Sequence, residues 1–523
     1  MRKQLVTALV IFTTWAVAAP AADLSIGLGA NVTTIDPHAI NLTPNNNIAE
    51  QIFDPLVRRD AGLRPLPGLA ESWHMVDELT WEFRLRKGVR FHDGSALTAA
   101  DVLFSLDRPK WLSSVPGASV GVLTYTQAIT EKIVVDPHTI RLRTAAPYPY
   151  LPDDLMGVMI VSRTAAKDKH GPDFDSPKVT QGTGPLHFER FLSGDRIVLK
   201  RNDNYWGTKS PWQTVIFRLI PDDPTRLATL LAGAVDLIEN IPTGDHAKLR
   251  THKNISVFTA TSNRMVHLQL DSNRDKSPFV TDAAGKPLDR NPLKDVRVRR
   301  AISMAINRQA MVDRVMDGMG KPAGQMMPDG FVAANPNLRP EPYDPEGAKK
   351  LLTEAGYRDG FGLTLHAPND RLVKGTQIVQ AIAQMLAHVG IAAKVETMPY
   401  SIYIKRAQKL DFSAVIQSWG AINEATIPLR FVAITFNSSK GLGAFNFGRY
   451  SNPKADTLYE QALVTMDSAR REKLLQQATE VVINDYGIIP LHFQVNTWAA
   501  RKPLQYEPRS DERTYAHAVR PGK

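Results

Sequence analysis

The stretch "FGLTLHAPNDRLVKGTQIVQAIAQMLAHVGIAAKVETMPYSIYIKRAQKLDFSAVIQSWG", residues 361–420, decides the fold. Three short apolar runs stand in it: "GLTLHA" (362–367), "IAAKVETM" (391–398) and "DFSAVIQSW" (411–419). Between them lie two longer segments with helical spacing, "GTQIVQAIAQMLAHVG" (375–390) and "YSIYIKRAQK" (400–409). Strand and helix alternate with short joins, which predicts a βαβαβ unit with parallel strands. In open α/β sheets ligands bind beyond the carboxyl ends of the strands. Trp419 ends the third strand and residues 366–371 end the first, so both loops project from one sheet edge. A large aromatic beside Gly420, followed by Glu424, then has two readings: strand-end packing, or the wall of a binding site.

Working outward, "DVRVRRAISMAINRQAMVDRVM" (295–316) and "DPEGAKKLLTEAG" (344–356) each read as a helix, the second stopped by Gly356. Helices over about 454–465 and 469–484 lead to a last strand, "GIIPLHFQ" (487–494). The first half of the chain has a β rhythm instead. "LSIGLG" (24–29) is a strand, and Trp81, Phe83 and Leu85 alternate with charged residues at strand period. His92-Asp93-Gly94 is a turn, and Thr98 with Asp101 opens a helix in capping-box style. Hairpins follow around Asp136-Pro137-His138 and Ser193-Gly194-Asp195, then a strand with Val215, Phe217 and Leu219 on one face. Asn45, Asn46 and Asn47 precede a helical run with Ile48, Ile52 and Phe53, where Asn commonly serves as a cap.

The amino terminus has Arg2 and Lys3, an apolar run over residues 5–19, and then "AVAAPAADLS" (16–25), the pattern of a secretory signal peptide. The expectation is an exported, soluble protein with residues 1–22 removed. The chain contains no cysteine, which excludes disulfides, thiol nucleophiles, cysteine-zinc sites and a lipidated cysteine anchor. At 523 residues and 43% hydrophobic it is long enough for two or three lobes. The net charge of +10 comes from basic residues scattered among acids, so no nucleic-acid partner is expected.

Enzyme motifs are lacking. "GLGANV" (27–32) holds only two glycines of a dinucleotide fingerprint, and HExxH and P-loop patterns are absent; "GASVG" (117–121) matches GxSxG in letters alone, with no apolar strand run before it. The 13 His show no paired ligand spacing on one helix, so neither metal nor cofactor is expected. His267 and His492 read as structural residues. An exported hydrolase acting on peptide or glycan is the alternative from another class; it would need a nucleophile–base pair in the cleft.

Six segments in order carry a resemblance over almost the whole mature chain: "TIDPHAINLTPNNNIAEQIFDPLV", "LAESWHMVDELTWEFRLRKGVRFHDGSALTAADVLFSLDR", "GTGPLHFERF" with "RNDNYWG", "LKDVRVRRAISMAINRQAMV", "YDPEGAKKLLTEAGY" and "YSNPKADTLYEQAL". Together they resemble the extracellular solute-binding proteins, family 5, which serve peptide and nickel ABC importers. The resemblance implies an α/β, two-lobed periplasmic binding protein fold of the class II kind, with an extra inserted α+β lobe. It places lobe I at residues 23–51, 182–264 and 490–523, the inserted lobe at 52–181, and lobe II at 265–489. "MVHLQLD" (265–271) and "GIIPLHF" (487–493) would be the hinge strands. The implied function is capture of a peptide-like or other small polar organic solute and its delivery to a membrane permease. The implied protein is periplasmic, monomeric and not an enzyme.

The resemblance also proposes the site. Dipeptide-binding members carry a segment like "GWTGD" whose Asp pairs with the ligand ammonium. Here the Trp falls on Trp419 and the Asp on Ile422, so the acid is missing; Glu424 lies two residues further on, beside Asn423. The arginine that meets a peptide carboxylate falls on Asn369, with Arg371 and Lys374 close by. Both charge anchors of a free dipeptide are thus displaced. The candidate ligand contacts are Trp419, Arg371, Asn369, Glu424, Asn423, Asn46 and Thr183. Each also has a plainer use: packing for Trp419, a solvated charge for Arg371, helix-start decoration for Glu424, a helix cap for Asn46, and a lobe junction for Thr183.

Overall fold

The computed structural model describes residues 23–420 and 424–522, so the expected signal segment, Ile422 and Asn423 lie outside it. Ten strands carry the framework: β1 (Leu24–Leu28), β2 (Leu186–Leu192), β3 (Arg196–Arg201), β4 (Thr214–Leu219), β5 (Leu237–Glu239), β6 (Ile255–Leu270), β7 (Phe361–Pro368), β8 (Ile391–Met398), β9 (Ala414–Gly420) and β10 (Ile489–Arg501). They join in one continuous sheet in the order β7-β9-β6-β10-β5-β1-β4-β3-β2, with β8 on the outer side of β7.

β7 runs parallel to both β8 and β9, which is the βαβαβ unit expected from residues 361–420. Helices Gly375–Ala387 and Tyr400–Gln408 make its crossovers. Ile378, Ile382 and Leu386 pack down onto Leu363, Leu365, Ile391 and Ile416 in one core. On the far side, Leu24, Ile26, Val215 and Phe217 build a second core beneath β1 and β4.

Between these halves lie β6 and β10. They pair with each other along most of their length, but the register shifts between Thr261 and Met265. Residues 262–264 of β6 stand against Gln494 alone. A bulge of this kind bends and twists a strand. Beyond it on one side β6 continues onto β9; on the other, β10 continues onto β5. The last strand is therefore longer than "GIIPLHFQ" indicated, because its second half serves the other half of the molecule.

A four-stranded antiparallel sheet of Ala70–Asp77, Thr80–Leu85, Thr139–Thr144 and Ile129–Asp136 stands apart with its own core, including Phe83, Leu85, Val102 and Ile140. Helix Ala99–Leu112 starts with the expected capping box of Thr98 and Asp101. This unit is clamped to β1's side by Arg108, whose guanidinium forks onto Asp36 at 2.8 and 2.7 Å with both side chains fully buried. Burying two charges costs several kcal/mol per ion unless they are paired and hydrogen-bonded, and this pair is both. The segments before and after this unit pass close together at Ile52 and Gly184, whose N–H donates to the Ile52 carbonyl at 2.9 Å. A Cβ on Gly182 would lie 1.9 Å from the Ile52 carbonyl oxygen, so only glycine permits the approach.

Two local expectations are corrected. Residues 295–316 form two helices, Val296–Met304 and Arg308–Arg314, because the Asn307 side chain accepts from the Ala310 N–H and caps a new start. The Asn cluster is not a cap. Helix Thr43–Ile52 begins earlier, with Pro44 in its first turn, and Asn45, Asn46 and Asn47 lie inside it.

Candidate functional site

A cleft of about 1020 Å³ opens between the halves. One wall comes from the carboxyl ends of β7 and β9, as the strand order requires: Arg371 and Leu372 follow β7, and Gln417, Ser418 and Trp419 end β9. The same wall continues through Glu424, Arg430 and Phe431 to Tyr459 on helix Pro453–Val464. The facing wall brings Asn46 and Glu50 from helix Thr43–Ile52, Tyr125, Tyr148, Tyr150 and Asp154 from the separate β unit, and Glu512 and Arg513 from the carboxyl-terminal segment.

Trp419 answers its two readings at once. Its ring packs against Phe431 and Phe445, with centroids 5.0 and 4.8 Å apart, and its remaining surface lines the cleft. The indole Nε1–H is buried and has no acceptor among the described residues.

The charges divide sharply between the walls. At the floor, Arg264 sits at the β6 bulge and donates to both Glu512 oxygens, at 2.7 and 2.9 Å. Arg59 meets Glu50 at 2.8 Å and Asp511 at 3.2 Å, while Arg509 forks onto Asp511. Burial pushes the Asp511 and Glu512 carboxyls up, but the adjacent guanidiniums outweigh it and hold both below the usual range. On this floor every guanidinium has a carboxylate partner.

The opposite wall holds cations without such a partner. Arg371 is exposed, rests 5.4 Å from the Tyr400 ring and has no carboxylate within ion-pair distance among the described residues. Glu424 is buried; Thr426 Oγ1 donates to it at 2.6 Å, and Arg471 stands 3.7 Å away. Burial raises its carboxyl despite Arg471. Across the cleft, Tyr148 donates its hydroxyl to Asp154 at 2.6 Å, and burial pushes the Asp154 carboxyl up to about 7.

Of the residues named from sequence, Trp419, Arg371, Glu424 and Asn46 share the cleft. Asn46 donates to Asn41 Oδ1 at 2.8 Å on its floor. Asn369 is exposed and off the lining; its backbone N–H is taken by the Met398 carbonyl. Thr183 is fully buried away from the cleft and donates to Asp54 Oδ2 at 3.0 Å, tying together the segments that leave and re-enter the first half. His267 and His492 are fully buried strand residues with imidazoles pushed down to about 4 by burial. Arg430, Asp154, Tyr148 and the Arg264–Glu512 pair gave no sequence signal. Arg264 and Glu512 stand 248 residues apart, and only the returning tail joins them.

The profile described as "Bacterial extracellular solute-binding proteins, family 5 Middle" matches residues 64–436, well over half of the chain. The chain belongs to this family. Among curated relatives, the glutathione-binding protein GsiB of Shigella boydii serotype 4 is 30% identical over 484 residues, covering 90% of this chain and 89% of that protein. GsiB of Salmonella choleraesuis is 29% identical over 493 residues, with 91% and 89% covered. HbpA2 from Haemophilus parasuis superposes with a TM-score of 0.81 at 24% identity, covering 95% of this chain and 99% of that one. The periplasmic binding protein DppA from Helicobacter pylori, in complex with peptide STSA, gives 0.76 at 24%, with 96% and 98% covered. The fold is the two-lobed one of periplasmic binding proteins. Among the described residues, no helix is long and apolar enough to cross a membrane.

Proposed function

We propose that this family 5 protein captures a small peptide-like organic solute bearing carboxylate charge between its two lobes, and presents the closed form to an ABC permease. The observation that carries the reading is the wall at the carboxyl ends of β7 and β9. It offers an aromatic face, Trp419, and on the same wall a guanidinium, Arg371, for which the described residues supply no acid. An arginine fork recognises carboxylate in a way that scattered surface charge does not. Supporting the ligand class, the curated relatives are named for glutathione, and a similar fold was solved with a peptide. These relatives are named as binding proteins, in line with a role that is not catalytic.

On this reading lobe I comprises residues 23–51, 182–264 and 490–523, lobe II comprises 265–489, and 52–181 form the inserted lobe. The lobes close as rigid bodies about the β6 bulge at residues 262–264. The ligand binds the closed state better and so shifts the equilibrium toward it. Asn46 and Glu424 act as polar contacts at the two ends of the cleft, and Asn423, next to Glu424 in the sequence, is a further candidate contact. Residues 1–22 export the protein to the periplasm, where it works as a monomer.

The test is mass spectrometry of the solute released when the purified protein is unfolded, followed by calorimetric titration of that solute. A carboxylate-bearing, peptide-like compound whose affinity falls in Arg371→Ala and Trp419→Ala is the expected result. A compound that binds both variants as well as the parent refutes the cleft as its site.

A further inference from the structure

We infer that the ligand carries two carboxylates, one for Arg371 and one for Arg430, the two guanidiniums on the lobe II wall left without an acid. The inference rests on the reading that the interlobe cleft holds the ligand.

Six cations line the cleft. Four have carboxylate partners. Arg59 pairs with Glu50 and Asp511, Arg264 with Glu512, Arg513 with Glu50 at 3.4 Å, and Lys440 with Glu460 at 2.6 Å. Among the described residues neither Arg371 nor Arg430 has a carboxylate within 4 Å. Each lobe I cation on the cleft therefore has an acid within ion-pair distance, whereas Arg371 and Arg430 on the opposite wall do not.

Arg430 is built for this task. It is half-buried, lies over the Phe431 ring at 5.4 Å, and uses only Nε, which donates to the Gly441 carbonyl at 3.3 Å. Both terminal nitrogens stay available, and a guanidinium presents five N–H donors in a planar fork that matches carboxylate. Withdrawing such a charge from water without an acid is costly, and an anionic ligand offsets that cost. The backbone around it is also unusual. Leu429–Ala433 is a single π-helical turn, a form found mostly as one-turn bulges and often at functional sites. Gly443 N–H donates to the Arg430 carbonyl at 2.7 Å and Phe445 N–H to the Phe431 carbonyl at 2.8 Å, which fixes the turn toward the cleft. Asp154, the acid facing Arg430 across the cleft, does not complete the pair. The Arg430 charge reaches it and works against the upward push of burial, but its carboxyl is engaged by Tyr148 and no ion pair within 4 Å joins the two.

The test uses the full mature chain and a matched series: Ala-Gln-Ala amide, Ala-Gln-Ala, Ala-Glu-Ala and glutathione, which carry none, one, two and two carboxylates. Calorimetric titration is expected to give binding only, or at least tenfold tighter, for the two-carboxylate members. Arg430→Gln should weaken those by about tenfold or more and erase the preference over Ala-Gln-Ala, while Arg430→Lys, which keeps the charge, recovers part of it. Circular dichroism checks that both variants are folded. Equal affinity for Ala-Gln-Ala and Ala-Glu-Ala, unchanged affinity in Arg430→Gln, or no binding across the series each overturns the inference. The cleft reading fails separately: Trp419→Ala and Arg371→Ala would then leave unaffected whichever solute does bind, including the one carried by the purified protein.

Discussion

Replacing Trp419 by Phe separates the two jobs that its ring performs. The benzyl ring retains the faces presented to Phe431 and Phe445, at 5.0 and 4.8 Å. Aromatic pairs of this kind contribute about 0.5–1.5 kcal/mol each beyond their buried area, and most of that survives. What Phe removes is the Nε1–H, which is buried without an acceptor among the described residues. A buried donor left unpaired costs about 1–3 kcal/mol, so its removal offsets the lost ring volume. Trp419→Phe is therefore expected to lie within about 1 kcal/mol of the parent in ligand-free stability. Trp419→Ala is expected to lose about 2 kcal/mol, half the value for a fully buried Trp, because the ring is only half-buried. Urea unfolding followed by circular dichroism, with both variants stripped of solute, gives the comparison. A Phe variant destabilised as much as the Ala variant would refute the reasoning. It would mean that the N–H is bonded in the native protein and that the packing account of this wall is wrong.

Three further outcomes follow from the same geometry. Arg371→Ala is expected to change stability by less than about 0.5 kcal/mol, since the side chain is exposed, yet to cost about 1.5–3 kcal/mol in ligand affinity; matched melting and titration measurements check both halves. Tyr150→Phe removes the hydroxyl that reaches across the cleft to the Ala462 carbonyl at 3.2 Å. Losing about 1 kcal/mol should favour the open form roughly fivefold, and small-angle scattering that shows no expansion would contradict it. Asp154, raised to about 7 by burial, holds its proton more tightly folded than unfolded. Its stabilising contribution is full below about pH 4 and is lost as pH rises through about 7. Asp154→Asn should therefore gain stability relative to the parent between about pH 5 and 8, and parallel urea midpoints that do not diverge would exclude this.

Much of the architecture was legible in local pattern. The alternation over residues 361–420 specified parallel pairing, since each segment's period selects strand or helix, and short joins leave one way to pack. It also put Arg371 and Trp419 on one sheet edge, where both are found. The errors are local competitions that periodicity does not register. Asn307 captures a helix start within an unbroken apolar pattern, and Pro44 begins a helix ahead of three asparagines that look like caps. Thr183 was a candidate from a glycine-rich lobe junction, and Asn369 from the position of a carboxylate-binding arginine in the resemblance. Here one side chain was drawn into a buried bond with Asp54, and the other was left in solvent.

The sequence by itself determined the family, the two-lobed α/β frame and the aromatic end of the cleft, because these depend on residue order and on periods of a few residues. The tertiary structure alone decided the electrostatics. Whether a guanidinium is spent or free depends on acids that arrive from elsewhere in the chain, as Glu512 reaches Arg264 over 248 residues. It also depends on burial, which raises Glu424 and Asp154 and leaves the lobe II wall with Arg371 and Arg430 unmatched. Charge balance is a property of neighbours in space, and no window along the chain contains them.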